Sequence, residues 1–431
     1  MLNKAFRLLL FFCIALIDVN AQTLTKSPYS ALGLGDLQFG GNAIESALGQ
    51  CSQGIRKIGD INNQNPASYG SLKYTVIEAG FKYSLGTIQN STSNSDIDNY
   101  SYGYLSVGIP LSQKLRWGMS FGVQPVSSIG YTVSANTDYS SQPGGFPATL
   151  QTSGRGGLSR IYFGSGIAIL RDLSIGVNAS YLWGQMITTK SIYIDPSYNR
   201  YNIEEISSTY VGDLYFDYGI QYHHIIKDKN KKPKYKLVIG ATLNLATKVN
   251  ATKDYSARSM GVGGILATKD TISYQTDQKG TVNFPLMYKV GISFEETDHW
   301  MICADVNMAN WSTYQFFGTT DSLKNMLGLS FGASYLPDKP DVISNYMNHI
   351  EYRIGARYDN GYLNVNGTDI TTYGISGGMG FPVGKLKSKI NLTAEYFVRG
   401  TTNNNLIHEE YFRIILGITF NDKWFDRYKF Y

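Results

Sequence analysis

Four arginines near the end of the chain are the side chains best suited to bind an anion. They are Arg353, Arg357, Arg399 and Arg413. A guanidinium group can form two parallel hydrogen bonds with one carboxylate, so these residues could anchor the head group of a small molecule in the lumen of a barrel. They could equally form ion pairs with acidic residues nearer the N-terminus, such as Asp36 or Glu45. The sequence therefore predicts candidate anion anchors and leaves their partners open.

Catalytic, cofactor and metal chemistry find little support in the sequence. The histidines are His223, His224, His299, His349 and His408, and none belongs to a local Ser/His/Asp signature or nucleophile elbow. The segment "GLGDLQFGG" lacks the spacing of a dinucleotide-binding turn. In "DINNQN", Asn65 stands at the sixth position, where a calcium loop needs glycine. We therefore expect no enzyme, no cofactor and no metal site.

The first 21 residues have the features of a secretory signal peptide. Lys4 and Arg7 precede a short apolar run at 8–17, and the residues at 19–21 suit signal-peptide cleavage. Two cysteines, Cys51 and Cys303, remain in the mature chain, either as a pair or as free thiols. Two cysteines alone indicate neither a disulfide framework nor a zinc site.

The composition excludes further classes of protein. Charged residues are 16% of the 431, against about 25% in soluble domains. No later segment approaches the ~20 apolar residues that a spanning helix needs. The net charge falls from +5 to +4 once the signal peptide's two cations and one anion are removed, which gives no reason to expect nucleic acid as a partner. The one basic run, "KDKNKKPKYK" at 227–236, is interpreted as a solvated turn.

From Tyr74 onward, apolar residues alternate with polar or small ones in segment after segment. In "LSIGVNASYLWG", Ile175 and Val177 alternate with Gly176 and Asn178. Period two indicates strands with one apolar face, since a helix would show a period of 3.6. Fourteen such strands are predicted, at 74–85, 99–110, 114–130, 159–170, 173–190, 203–225, 234–250, 280–295, 299–314, 325–336, 349–360, 370–383, 387–400 and 408–421.

The lengths of these segments and of their connections predict a membrane barrel. Most segments are about as long as the ~9–11 residues with which a tilted strand crosses a bilayer. Short connections follow the second, fourth, eighth and twelfth strands, and long ones are predicted at 131–158 and 251–279. Short periplasmic turns, long outer loops and an even strand number are the layout of an outer-membrane barrel. We therefore predict an all-β fold, a membrane-spanning antiparallel β-barrel at 74–421 with a periplasmic tail at 422–431, in the outer membrane of a Gram-negative bacterium.

Residues 22–73 do not alternate and are rich in Gly, Ala, Ser and Asn. They could form a periplasmic tail, or they could fold inside the barrel as a plug. Eight-stranded barrels are filled by their own side chains, whereas barrels of 16–18 strands leave a channel. Fourteen strands lie between these limits and leave room for a compact insert. We predict that 22–73 is an N-terminal plug, or hatch, inside the lumen.

Taken together, these features resemble the FadL/TodX family of outer-membrane transporters for hydrophobic compounds. Asn65-Pro66-Ala67 resembles that family's plug motif, and "ADVNMANWSTYQFF" resembles its Asp-then-Trp-Ser strand through Asp305 and Trp311. The segments "SPYSALGLGDL" and "LGITFNDKWF" resemble the branch found in Bacteroidetes. The resemblance covers essentially the whole mature chain.

The resemblance implies a role for a break in the third predicted strand. The segment "RWGMSFGVQPVSSIGYTV" alternates until Pro125, which cannot donate to a sheet ladder, and Ser127, Ser128 and Gly130 follow it. In the family the third strand is kinked, and the gap opens the lumen sideways into the membrane. A lateral opening at these four residues, close to the plug motif, is what the resemblance implies. The alternative is a harmless bulge at the outer end of the strand.

Two functions follow from the resemblance. The first is passive passage of hydrophobic small molecules, similar to long-chain fatty acids, across the outer membrane, with membrane lipid and the ligand as partners. The second is an accessory barrel of a protein secretion or outer-membrane assembly machine, which binds protein partners. A transporter should have a continuous apolar pocket with a few polar anchors, whereas an accessory barrel should have a filled lumen.

Overall fold

The computed structural model describes the chain in several ranges. They are 25–38, 41–138, 146–261, 268–321, 323–339, 344–384, 386 and 388–424. The predicted signal peptide and residues 425–431 of the predicted tail lie outside the described residues, so those two assignments stay predictions.

The described residues form a β-barrel of fourteen strands, two of which are interrupted by two residues. In chain order the strands are β1 (Thr75–Gln89), β2 (Asn94–Ser112), β3 (Trp117–Asp138), β4 (Pro147–Ala168), β5 (Leu173–Ile194), β6 (Asn202–Lys227), β7 (Pro233–Asn244 and Thr247–Met260), β8 (Thr268–Phe284 and Met287–Glu296), β9 (Trp300–Ala309), β10 (Met326–Tyr335), β11 (Glu351–Asp359), β12 (Thr372–Val383), β13 (Ser388–Gly400) and β14 (His408–Asp422). The interruptions in β7 and β8 lie side by side, and pairing resumes beyond them.

Antiparallel pairing continues around the barrel and closes it. The first and last strands pair from Thr75↔Asp422 to Gln89↔His408. Outward positions such as Ile175 are exposed and apolar, whereas inward Asn178 is fully buried. An apolar outer face with a polar inner face is the pattern of a barrel that crosses a membrane. The predicted fourteen-stranded fold is confirmed.

The wall is much taller on one side than on the other. Strands β3 to β6 contain 22, 22, 22 and 26 residues, whereas β9 to β11 contain 10, 10 and 9. The prediction of long loops at 131–158 and 251–279 is therefore wrong over most of their length, because strands continue through both. The cause is visible at 132–136, where consecutive side chains are exposed on both faces. Backbone pairing persists there without the apolar alternation that marks a strand in a sequence.

Short elements complete the described structure. One α-helix, α1, spans Ala43–Ala47, and 3₁₀ turns span Pro28–Ala31, Pro66–Ser71, Pro196–Tyr198, Trp311–Thr313, Tyr346–His349 and Asn403–Asn405. Two-residue strands lie at Asp36–Leu37, Gln315–Phe316, Asn364–Val365 and Thr368–Asp369. None of the helices in the described ranges has the length and hydropathy needed to cross a membrane.

Residues 25–73, called the N-terminal segment below, pack against inward-facing side chains of the barrel. Helix α1 contacts β11 to β14, and the 3₁₀ turn Pro66–Ser71 contacts β2 to β6. Most residues between 41 and 72 are buried, and the others are half-buried. The end of the barrel where β1 begins and β14 ends is called the terminal rim, and the other end the distal rim.

Candidate functional site

The barrel wall has a pairing gap between β2 and β3. The two strands pair from the terminal rim as far as Leu105↔Val123, and their described residues are not paired beyond that point. Pro125 follows two residues later, and the register of β3 with β4 slips by one residue between Pro125 and Ser127. Proline offers no N–H to a neighbouring strand, and a bulge bends the strand that contains it. Strand β3 therefore diverges from β2 where the sequence analysis placed the break.

The N-terminal segment pairs with the free edge of β3. Its short strand Asp36–Leu37 lies antiparallel to Ser127–Ser128. The amide of Gly130 donates to Ser30 Oγ at 3.1 Å. These contacts satisfy backbone groups that an open edge would leave without partners, which is costly inside a membrane. Three of the four residues assigned to a lateral opening thus contact the N-terminal segment.

Two side-chain contacts also connect β2 across the gap, one to β4 and one to the N-terminal segment. The Tyr102 hydroxyl on β2 lies 2.7 Å from Ser159 Oγ on β4. The ammonium of Lys26, in the N-terminal segment, lies 3.0 Å from Asp98 Oδ1 on β2. The second pair is half exposed and contributes little stability by itself. Strand β2 is thus joined across the gap both to β4 and to the N-terminal segment.

A buried ion-pair network holds the N-terminal segment beside the gap. The guanidinium of Arg399, on β13, donates to Asp36 Oδ1 at 2.6 Å and to Ser27 Oγ at 2.7 Å. It also donates twice to Glu409 Oε2, at 2.6 and 2.8 Å. The Glu409 side chain is completely buried. One guanidinium therefore joins β13, β14 and the N-terminal segment, and its donors are directed at protein carboxylates.

The other three predicted anion anchors are also engaged by protein groups. Arg353 lies 2.6 Å from Glu351 Oε2, and Arg413 lies 3.3 Å from Glu395 Oε2. Arg357 lies over an aromatic ring, with its guanidinium carbon 5.0 Å from the Phe397 centroid.

Asp36 and Glu45, the two acidic residues predicted as ion-pair partners, make different contacts. Asp36 pairs with Arg399 at 2.6 Å. Glu45 instead closes the capping box of α1, and its carboxylate accepts from the Asn42 amide at 3.2 Å. Burial raises the pKa of the Glu45 carboxyl well above its usual range.

The motif Asn65-Pro66-Ala67 lies at the start of a 3₁₀ turn near the terminal rim. The Asn65 side chain accepts a hydrogen bond from the Ala67 amide at 3.2 Å, which caps the turn. Its amide group points at the backbone carbonyls of Ile220 and Ala241 on β6 and β7, at 3.3 and 3.4 Å. The motif therefore attaches the N-terminal segment to β6 and β7, and the turn that it begins also contacts β2 to β5.

Asp305 on β9 binds a second part of the N-terminal segment, Ser52–Gln53. Its carboxylate accepts hydrogen bonds from the backbone amides of Ser52 and Gln53, at 2.6 and 2.9 Å. On β6, the side-chain amide of Gln221 donates to the Gln53 carbonyl at 2.8 Å. Trp311, the other residue of the "ADVNMANWSTYQFF" resemblance, lies elsewhere, stacked on Tyr362 with ring centroids 4.6 Å apart.

A family model described as BamG matches residues 1–431, which is the whole chain. The chain belongs to the BamG family. No curated protein matches it in sequence. The family model therefore gives the family as BamG. The fold agrees with the resemblance to the FadL/TodX family that was inferred from the sequence.

Solved structures similar to this BamG-family chain are hydrocarbon channels and their homologues. The Pseudomonas putida toluene transporter TodX is 14% identical, with a TM-score of 0.54 over 91% of this chain and 100% of that one. The Ralstonia pickettii toluene transporter TbuX is 13% identical, with a TM-score of 0.53 over 89% and 98%. A Pseudomonas aeruginosa FadL homologue is 10% identical, with a TM-score of 0.56 over 88% and 98%. At these identities the similarity concerns the fold.

The BamG-family chain also has an apolar cluster toward its distal rim, called the upper core below. Its buried members are Tyr29, Leu34, Ile129, Tyr131, Leu158, Leu182, Met186, Val211, Tyr215, Val249, Ala251, Val282, Phe284, Ala309, Trp311, Tyr314, Tyr362, Leu363, Ile370 and Leu406. They come from the tall side of the wall, from the end of β9, from the loops after β9, β11 and β13, and from the N-terminal segment. The Tyr362 hydroxyl donates to the Gly35 carbonyl at 2.7 Å. Loop, wall and N-terminal segment thus form one packed unit.

Concave apolar surfaces occur on the outside of the wall. One of about 950 Å³ is bordered by residues of β8 to β14, most of them outward-facing, such as Ile302, Phe331, Ile354 and Ile375. Another, of about 330 Å³, is bordered by outward residues of β6 to β8. Outward apolar surface of this kind faces lipid in a membrane barrel.

Several residues that position the N-terminal segment were not identified from the sequence. Gln221, Asn178 and Arg56 are buried polar residues; Asn178 Nδ2 donates to the Asn63 carbonyl at 3.1 Å, and Arg56 donates to the Ala67 carbonyl at 2.9 Å. The available signal was their position on the polar face of a strand or in the non-alternating segment. That signal is shared by many residues whose side chains simply line a lumen.

Cys51 and Cys303 are both buried free thiols. Their side chains are neighbours, and the hydrogen bond with Cys303, together with burial, raises the pKa of the Cys51 thiol. Within the described ranges, no group of three or more His, Cys, Asp or Glu side chains is placed to hold a metal ion.

Proposed function

We propose that this chain is an accessory barrel of an outer-membrane protein assembly and acts by binding protein partners. The observation on which the proposal rests is the filling of the barrel at two levels. In this proposal the N-terminal segment, which packs against inward-facing wall residues, acts as a plug at the lower level, and the upper core fills the level toward the distal rim. A conduit for hydrophobic solutes needs connected apolar space that a solute can enter.

At the lower level, the N-terminal segment packs too closely against the barrel wall to leave space for a solute at these contacts. An added Cβ at Gly355 would lie 2.8 Å from Gly49 Cα, and an added Cβ at Gly332 would lie 2.6 Å from the Leu48 carbonyl. On the other half of the wall, a Cβ at Gly176 would lie 2.6 Å from the Ala67 amide nitrogen. Glycines on opposite sides of the barrel therefore let the segment touch the wall backbone directly.

The upper level supports the same proposal. Trp311 and Tyr314 are 2% and 1% exposed, and their ring centroids are 5.8 Å apart. Moving such side chains aside would expose large apolar surfaces to water, at a free-energy cost of about 25 cal/mol per Å². Membership of the BamG family and an outer-membrane location fit a barrel that serves as a fixed member of a membrane complex.

The second candidate function is passive passage of a hydrophobic small molecule, such as a fatty acid, through the gap between β2 and β3. The observation that favours it is the gap itself, which lies beside Pro125 in a fold similar to toluene transporters. In this alternative the short strand Asp36–Leu37 would have to leave the edge of β3 to open a path into the membrane.

A disulfide that fixes the N-terminal segment to β3 separates the two functions. Leu37 and Ser127 are direct register partners, so L37C/S127C should form a disulfide when oxidised. The matched control is T87C/E410C, which links two register partners in the closed wall between β1 and β14. The neighbouring native thiols Cys51 and Cys303 are present in both variants, so oxidation affects them equally in the locked chain and in the control.

The experiment compares cells that produce the oxidised L37C/S127C chain with cells depleted of the chain. We expect depletion to lower the content of other barrel proteins in the outer membrane, and the locked chain to restore it as fully as the control. Uptake of toluene and of a long-chain fatty acid should be the same with the locked chain and with the control. Uptake that is lost only in the locked chain and returns with reductant would instead establish the transport function.

A further inference from the structure

Three consecutive turns at the terminal rim concentrate positive charge on one side of the barrel. The turns join β2 to β3, β4 to β5 and β6 to β7. Their cations are Lys114, Arg116, Arg171, Lys227, Lys229, Lys231, Lys232 and Lys234, and their carboxylates are Asp172 and Asp228. We call these residues the basic rim. Its excess of cations contrasts with the following turn, which contributes Glu296 and Asp298.

Hydrogen bonds join these turns into one preformed surface. Arg116 donates to the Leu170 carbonyl at 2.8 Å and also to the Arg171 carbonyl. The His223 amide donates to the Asp172 carbonyl at 2.8 Å, which ties β6 to the turn before β5. Arg116 is thus occupied in bridging turns, and the lysines remain available for an external partner.

The lysine-rich turn itself has a defined shape. The Asp228 carboxylate accepts from the Lys232 amide at 2.8 Å, and the Lys231 amide donates to the Asp228 carbonyl at 3.0 Å. Lys229, Lys231 and Lys232 are exposed, and none of them forms an ion pair with another described residue. Three ammonium groups are therefore presented on a short turn that is already ordered. Binding a partner would cost little further conformational entropy.

Aromatic residues next to this turn mark the level of the membrane surface. Tyr235 stacks on Phe294 with ring centroids 5.5 Å apart, and Phe294 contacts Trp300 at 5.6 Å. The Lys234 ammonium lies 4.9 Å from the Tyr235 centroid. Tyr and Trp collect at the boundary between lipid chains and water, where head groups lie. Exposed Leu170, at 64%, places apolar surface directly beside the cations.

We propose that the basic rim binds the phosphate-bearing head groups of acidic phospholipids in the periplasmic leaflet. Short turns of outer-membrane barrels face the periplasm, so the rim meets that leaflet. The aromatic cluster sets the lysines at head-group height, while the adjacent apolar residues contact acyl chains. This arrangement favours a lipid, because the aromatic and apolar border faces lipid in a membrane barrel and places the adjacent cations at the height of the head groups. Lipid binding at the basic rim does not depend on whether the barrel binds protein partners or transports a solute.

The test measures lipid retention by the full chain in detergent, using native mass spectrometry with phosphatidylglycerol and phosphatidylethanolamine of identical acyl chains. The test variant is K229Q/K232Q. The control is K269Q/K279Q, which removes the same charge from exposed lysines of β8, away from the basic rim. A difference in gel mobility between heated and unheated samples verifies that each variant is a folded barrel.

We expect the wild-type chain and the control to prefer phosphatidylglycerol. The test variant should bind it about 30-fold more weakly, since each lysine near a charged head group contributes on the order of a fivefold effect. Equal retention of the two lipids, or equal loss in both variants, would overturn the proposal. Binding of poly-glutamate without any preference for phosphatidylglycerol would also overturn it and assign the turns to an acidic protein.

Discussion

Replacing Gly355 with alanine should displace the N-terminal segment while the fourteen strands stay paired. Gly355 faces inward on β11, opposite Gly332 in register, and both glycines meet the end of α1. An added Cβ would lie 2.8 Å from Gly49 Cα and closer still to the Gly49 amide nitrogen. Because these are backbone atoms of a buried segment, neither can rotate away as a flexible side chain would.

Labelling of the buried thiols measures the displacement. Cys51 is 0% exposed and Cys303 is 6% exposed in the native chain, so a maleimide should leave both unmodified. In G355A we expect complete labelling of Cys51 under the same conditions, with the heat-modified gel migration of a folded barrel retained.

G328A is the matched control for G355A. Gly328 also faces inward, on β10, but the nearest atom to its added Cβ is 3.5 Å away, an ordinary contact. G328A should therefore stay unlabelled. If G355A also stayed unlabelled, the close packing of Leu48 and Gly49 against β10 and β11 would be contradicted.

Replacing Arg399 with methionine should release the part of the N-terminal segment that lies beside the gap. The substitution removes the cation shared by Asp36 and Glu409 and leaves both carboxylates without a cationic partner among the described residues. Breaking a buried pair by removing one partner costs about 3–5 kcal/mol. The loss should appear as lower stability of the native barrel in urea and as rapid proteolysis between residues 25 and 38.

K324M is the matched control for R399M. Lys324 pairs with Asp369 at 2.7 Å, but both side chains are about half exposed, at 53% and 47%. Pairs of this kind contribute less than about 1 kcal/mol, so K324M should behave like the wild-type chain. Equal effects of the two substitutions would show that Arg399 is only another surface charge, contrary to the network described.

The sequence predicts those strands whose two faces meet different surroundings, one lipid and the other the barrel interior. The alternation around Ile175 and Val177 is present because one face meets lipid and the other the interior. Where both faces are exposed, as at 132–136, the alternation vanishes although the strand continues. Strand number and order were therefore predictable, and the height of the wall was not.

The candidate site was less predictable, because its residues come together only through closure of the barrel. Arg399 and Asp36 are 363 positions apart in the chain, and Asp305 and Ser52 are 253 apart. No local pattern pairs such residues. The break at Pro125 was visible because proline acts on its own strand, but the strand that replaces β2 there comes from the N-terminal segment. That segment lacks periodicity, since its shape follows the glycines and polar groups of the wall.

Hydrogen exchange of the full chain in lipid tests the filled barrel most directly. Amides between residues 41 and 72 should exchange as slowly as those of the barrel strands, and adding toluene or a long-chain fatty acid should leave their protection unchanged. Rapid exchange of this range, or protection that disappears when the hydrophobic compound is added, would contradict a permanently filled lumen and with it the proposed accessory function.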